Sequence, residues 1–190
     1  VGGSRGLGAY LAKINAIFGA NITLTYNVGK DDANEIATDI RNNGGIVSTK
    51  QLKIGNHTNL SNLKHNFDQV YYLATPKIYP NKTKNFDTEL YKLYRSFYVD
   101  GFKWIIDHCL GSNKLPVVLF PSTIFIDEKK TDYKEYIRAK LDGEMACKNY
   151  IEEMHLKVYF PRVPPLKTDQ NLSIIPNKNF ETAEEALSLI

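Results

Sequence analysis

Val1-Gly2-Gly3-Ser4-Arg5-Gly6-Leu7-Gly8 opens the sequence, and its reading decides the fold. Gly2, Gly6 and Gly8 are spaced for a tight turn that leads from a buried strand into a helix. Gly2 and Gly6 permit positive φ or close backbone approach, and Gly8 lets the helix pack tightly on a sheet. The helix then points its free N–H groups and positive end at an anion such as a pyrophosphate. A purely structural strand-to-helix turn has the same glycines, so the rest of the chain has to decide between them.

Beyond the turn, apolar runs and helical patterns alternate. Residues 8–18 place Leu11, Ile14, Ile17 and Phe18 on one helical face, and 21–26 is a short β-branched run. A second helical pattern covers Asp31 to Asn42 and is closed by Gly44-Gly45. Strands are expected at 46–52, 70–74, 115–120 and 157–160, and helices at 60–67, 87–109 and 134–154. An irregular flap over 162–180 and a last helix over 181–187 complete the reading. Strands alternating with helices predict an α/β, Rossmann-type, doubly wound parallel sheet with helices on both faces. Its first strand is expected before Val1. No repeat or linker divides the chain, so 1–190 reads as a single domain that belongs to a longer protein.

Composition narrows the function. The chain has 190 residues, 43% of them hydrophobic, and a net charge of +3. No apolar run is long enough to span a membrane. The slight basic excess is too scattered for nucleic acid and suits a small anion. Cys109 and Cys147 lack metal-ligand spacing, and His57, His65, His108 and His155 are dispersed, so no metal site is expected. Two thiols of this kind fit a reducing compartment, the cytoplasm.

Ligands of such sheets bind beyond the carboxyl ends of the strands, where the strand order reverses. That edge collects the opening turn, Leu73–Pro76, Pro121–Thr123 and Pro161–Thr168. Thr25-Tyr26-Asn27-Val28-Gly29-Lys30 ends the second strand without the acid that would bond a ribose 2′-hydroxyl; the first acid is Asp31. Arg5 and Lys30 instead suit a 2′-phosphate, which favours NADP over NAD. Tyr136 and Lys140 lie one helical turn apart. An ammonium beside a phenol is expected to lower the phenol's pKa and make Tyr136 a general acid for a carbonyl that receives hydride. Ser122 supplies a hydroxyl at the same edge.

These motifs together resemble the short-chain dehydrogenase/reductase family. The glycine turn, the Ser122–Tyr136–Lys140 set and the Pro161/Thr168 stretch occur in family order from end to end. The resemblance implies that Tyr136 exchanges a proton with the substrate oxygen. It implies that Lys140 holds the nicotinamide ribose and tunes Tyr136, and that Ser122 bonds the carbonyl. It assigns contacts with NADP(H) to Gly2, Ser4, Arg5, Gly6, Leu7 and Gly8 in the turn, and to Tyr26, Asn27 and Lys30 after the next strand. Further contacts fall to Ile54, Ala74, Thr75, Tyr136, Lys140, Pro161 and Val163. It also implies pairing of the 87–109 and 134–154 helices across two-fold axes. Phe97, Phe102, Trp104, Ile105, Ile137 and Met145 would serve a homodimer or tetramer.

The sequence departs from the family pattern at several points. Val1 replaces a threonine, and Lys53 stands where an adenine-contacting acid is usual. Tyr72-Leu73-Ala74-Thr75-Pro76 replaces Asn-Asn-Ala-Gly and keeps only the alanine. Tyr98 falls near the place of the relay asparagine, and Pro161-Arg162 replaces Pro-Gly. Ser122 precedes Tyr136 by fourteen residues, one more than usual, which makes Thr123 a rival. The expected activity is NADP(H)-dependent reduction of a ketone or ketoacyl group, including a carrier-bound acyl chain, or the reverse oxidation. A nucleotide-binding domain with a structural or regulatory purpose is the alternative. Nucleotide-sugar epimerisation or dehydration fits less well, because the chain has no room for a large C-terminal substrate domain.

Overall fold

A computed structural model describes residues 1–55, 60, 63, 66–110 and 114–165. The expected helices at 60–67 and 181–187, most of the 162–180 flap and Thr168 lie wholly or largely outside the described residues. Within them the alternation is α1 (Gly6–Ile17), β1 (Ile22–Tyr26), α2 (Lys30–Asn42) and β2 (Val47–Gln51). Then come β3 (Gln69–Tyr71), α3 (Thr88–Arg95), α4 (Phe102–Cys109), β4 (Val117–Leu119) and β5 (Ser122–Thr123). Last are α5 (Lys134–Met154), β6 (Val158–Tyr159) and β7 (Arg162–Val163). Among the described residues, no helix is long and apolar enough to cross a membrane.

Every strand pairing among the described residues is parallel: β1 with β2, β3 with β4, β4 with β6, and β5 with β7. Val1–Gly3 joins the first two groups. The Val1 nitrogen donates to Tyr71 O and Val1 O accepts from Leu73 N, while Gly3 N donates to Thr25 O. The order across the sheet is therefore β2, β1, the Val1 segment, β3, β4, β6. The strand order reverses at Val1, and the glycine turn leaves the sheet from that point.

Alternation along β4 assigns the two faces. Val118 points into the larger core with Tyr72, Phe102, Ile105, Phe120 and Cys147, which α3 to α5 cover. Leu119 points the other way, onto Leu7 and Leu11 of α1. On that same α1 the expected apolar face is corrected at its end: Ile17 is 77% and Phe18 86% exposed. The buried stripe runs Leu7, Gly8, Leu11 because the helix meets the sheet through its first two turns. A third cluster packs Ala33, Ala37 and Ile40 of α2 on Leu24 and Val47.

The predicted helix at 87–109 forms, with one irregularity. Asp87 caps α3 by accepting from Glu89 N and Leu90 N. Between α3 and α4, Ser96–Gly101 widens into a π-turn, a feature common at functional sites. Tyr72 donates its hydroxyl to Phe97 O there, at 2.6 Å. The turn carries Tyr98, which is 1% exposed. Phe102 and Ile105, expected on an association surface, are wholly buried against the sheet instead. The α5 helix runs as predicted and stops at His155, whose left-handed backbone (φ 53°) turns its N–H back to Ile151 O.

Candidate active site

The glycine turn is shaped by close contact. Gly2 has φ 76°, and a Cβ there would stand 2.8 Å from Ala74 N. A Cβ on Gly8 would collide with Gly2 O, so the first turn of α1 lies directly against the loop. The N-terminus of α1 faces a cleft of about 760 Å³.

That cleft brings together most of the residues singled out from sequence. Gly2, Ser4, Arg5, Gly6, Leu7, Gly8, Tyr26 and Asn27 line one end. Ile54, Ala74 and Thr75 line the middle, and Ser122, Tyr136, Lys140 and Val163 the other end. Lys30 and Pro161 do not line it. Lys30 is at the first position of α2, and Pro161 gives its carbonyl to Ser122 N in the β5–β7 pairing.

A stripe of α5 residues spaced four apart runs alongside the end of β4 and β5. Tyr136 lies beside the Thr123 side chain, which acts on its phenol. Lys140 Nζ donates to Pro121 O at 2.7 Å, and Ser122 Oγ donates to Glu144 Oε1 at 2.6 Å. Eight residues of helix separate Tyr136 from Glu144, about 12 Å along the axis. The two candidate hydroxyls therefore differ in their surroundings. Ser122 is held at the far end of the stripe, and Thr123 is the hydroxyl beside Tyr136. Glu144 is fixed in turn by Arg162, which reaches it through Nε at 2.9 Å and Nη2 at 2.8 Å. Burial works to raise the Glu144 pKa, but hydrogen bonds from Arg162 and Ser122 outweigh it and hold the carboxyl below its usual range. The Arg that departs from the family pattern at 162 is thus the partner of the acid that takes Ser122.

The electrostatic relation between Tyr136 and Lys140 is also corrected. Burial raises the Tyr136 pKa well above that of a free phenol, with the Thr123 side chain opposing it. The ring stands edge-on to Tyr94 and Tyr98 at 5.8 and 5.6 Å. The Lys140 ammonium lies over the Tyr98 ring at 4.0 Å and the Phe120 ring at 4.7 Å. Burial lowers the Lys140 pKa to about 7. Tyr136 therefore holds its proton at neutral pH, and Lys140 titrates there.

That titration leaves a signature in stability. The unfolded chain keeps Lys140 protonated up to its ordinary pKa, whereas the folded chain releases the proton through about pH 7. Stability then rises with pH wherever the unfolded state binds more protons. Chemical denaturation at pH 6.5 and pH 9 checks this: Lys140→Met should remove a rise that wild type displays across that window.

Tyr98, near the place of a relay asparagine, bonds Thr75 Oγ1 at 2.5 Å, and Thr75 also donates to Pro76 O. Sequence reasoning did not find the roles of Tyr98 and Glu144. The i, i+4, i+8 spacing of Tyr136, Lys140 and Glu144 was the available signal for the second.

The arrangement can cradle an anionic dinucleotide along the turn and present a protonated phenol to a carbonyl. No family model matches the chain, and no curated protein matches it in sequence. Solved structures do match it in fold. A short-chain dehydrogenase of Escherichia coli CFT073 complexed with NADPH superposes with a TM-score of 0.83 at 15% identity, over 99% of this chain and 85% of that one. The angucycline C-6 ketoreductase LanV with bound NADP gives 0.79 at 18%, over 93% and 75%. A dehydrogenase/reductase from Sinorhizobium meliloti 1021 gives 0.82 at 14%, over 99% and 83%. In architecture, this chain has the short-chain dehydrogenase/reductase fold.

Proposed function

We propose that the protein is an NADP(H)-dependent oxidoreductase that reduces a ketone or ketoacyl group. The observation that carries this reading is that Tyr136, Thr123 and the glycine turn line one cleft. The residues fit the cofactor. Gly2 and Gly8 let the turn pack backbone against backbone, α1 directs its free N–H groups into the cleft, and Arg5 lines it. Structures of similar fold crystallised with NADP or NADPH support the choice of cofactor. When bound, the cofactor supplies hydride to the carbonyl carbon. Tyr136 delivers a proton to the carbonyl oxygen, so the carbonyl becomes an alcohol and the phenol a phenolate. Thr123 hydrogen-bonds the same oxygen and holds it in reach. Lys140 in its ammonium form holds ribose hydroxyls.

Fluorescence titration with NADPH and NADH, followed by a screen of simple ketones and β-ketoacyl thioesters for NADPH consumption, tests the reading. Tight NADPH binding with no turnover would favour a structural or regulatory nucleotide-binding domain. Tyr98 closed onto Thr75, in the segment that departs from the family pattern, is the observation that favours this second reading.

We also assign the protein to a reducing compartment such as the cytoplasm. Both cysteines are buried thiols, raised by burial to about 11 (Cys109) and about 12 (Cys147). Association through α5 is supported by Leu141 and Met145, 38% and 57% exposed one turn apart. Light scattering at micromolar concentration should give at least a dimer mass, and a monomer mass counts against it.

A further inference from the structure

We infer that Asp32 sets how strongly the cleft prefers a 2′-phosphorylated dinucleotide, by holding Arg5 in an ion pair that the phosphate has to open. The inference rests on the reading that the cleft takes NADP(H). Arg5 Nε stands 2.5 Å from Asp32 Oδ2, with the two side chains 47% and 39% exposed. Gly29 marks the space that they border. An atom at its Cβ position would be 2.7 Å from Asp32 Oδ2, 3.2 Å from Ser4 Oγ and 3.6 Å from Arg5 Nε. A hydroxyl, a guanidinium and a carboxylate thus converge on one small volume where β1 gives way to α2.

Of these, Ser4, Arg5 and Gly29 line the cleft, whereas Asp32 reaches it through Arg5. The hydroxyl and the guanidinium donate to a phosphate. The carboxylate only accepts, and at neutral pH it repels a phosphate while tolerating a ribose 2′-hydroxyl. The chain therefore carries an acid at this place after all, six residues beyond the end of β1 and brought back by the first turn of α2. Both partners are largely exposed, so the pair is cheap to open. Asp32 tempers the preference for the phosphorylated cofactor and does not reverse it.

The test is titration of wild type, Asp32→Asn, Arg5→Gln and the double variant with NADPH and with NADH at one ionic strength. Asp32→Asn should tighten NADPH by about threefold or more, the range of one exposed ion pair, with NADH little changed. In the Arg5→Gln background the same substitution should have less than about half that effect on a logarithmic scale, because the carboxylate acts through Arg5. Unchanged or weakened NADPH binding by Asp32→Asn and by Asp32→Ser, each with a wild-type melting temperature, overturns the inference while leaving the cofactor reading standing. Failure of wild type to bind either dinucleotide overturns both.

Discussion

Tyr136→Phe is expected to slow carbonyl reduction by at least about 10²-fold while leaving NADPH affinity within about twofold, the low end for loss of a positioned acid. The substitution removes one oxygen and keeps the ring. Its edge-on contacts with Tyr94, Tyr98 and Phe125, at 5.8, 5.6 and 6.3 Å, survive, so the fold should hold. What disappears is the proton. Burial keeps the phenol protonated far into alkaline pH, which suits it to give a proton to a carbonyl as hydride arrives. The reverse reaction needs the phenolate, so alcohol oxidation by wild type should accelerate as pH rises, and that rise should vanish in Tyr136→Phe. Stopped-flow measurement of NADPH oxidation, with and without deuteride to identify the limiting step, decides it. Reduction by the Phe variant at the wild-type rate, with hydride transfer limiting, would remove Tyr136 from the chemistry.

How far that assignment was legible in the sequence differs from residue to residue. The alternation of β-branched runs with 3.6-period stretches gave β1, α2, β2, β4 and α5 nearly to their ends, because each buries a face whose pattern is local. Sequence also placed Tyr136 and Lys140 on one face of α5. It could not say what stands opposite each of them. That depends on where β5 lies against the helix, a distance set by packing of Gly143 against Phe120 and the Tyr98 backbone. Ser122 and Thr123 are neighbours in the chain, and a shift of one residue along the strand exchanges their partners. Asp32 was invisible for a similar reason. Its role depends on α2 folding back towards α1, which places it on Arg5. Ile17 and Phe18 mark the opposite error, since a periodic apolar pattern continued past the point where α1 leaves the sheet.

Thr123→Ala should therefore cost far more turnover than Ser122→Ala, although Ser122 has the more familiar residue type for the role. Loss of a hydrogen-bond donor aimed at developing negative charge lowers turnover by about 10²–10³-fold. The Thr123 side chain is the one that acts on the Tyr136 phenol, and Thr123→Ser should restore most of the rate. Ser122 Oγ is committed to Glu144, which Arg162 grips with two hydrogen bonds. Arg162 Nη1 is also 2.5 Å from Asp127, so the network ties β7 to α5 and to the segment after β5. Removing the Ser122 hydroxyl takes one donor from a buried carboxylate that keeps its two others. The expected effect is a loss of about 1.5–3 kcal/mol in stability, the range for a hydrogen bond to a charged group, read from the denaturation midpoint, with turnover within a few-fold of wild type. The two variants thus separate in rate, while Thr123→Ala also gives up the bond its hydroxyl accepts from Phe125 N. The reverse order in rate would mean that the Glu144–Arg162 pair releases Ser122 when cofactor and substrate enter, and would return the carbonyl contact to the serine.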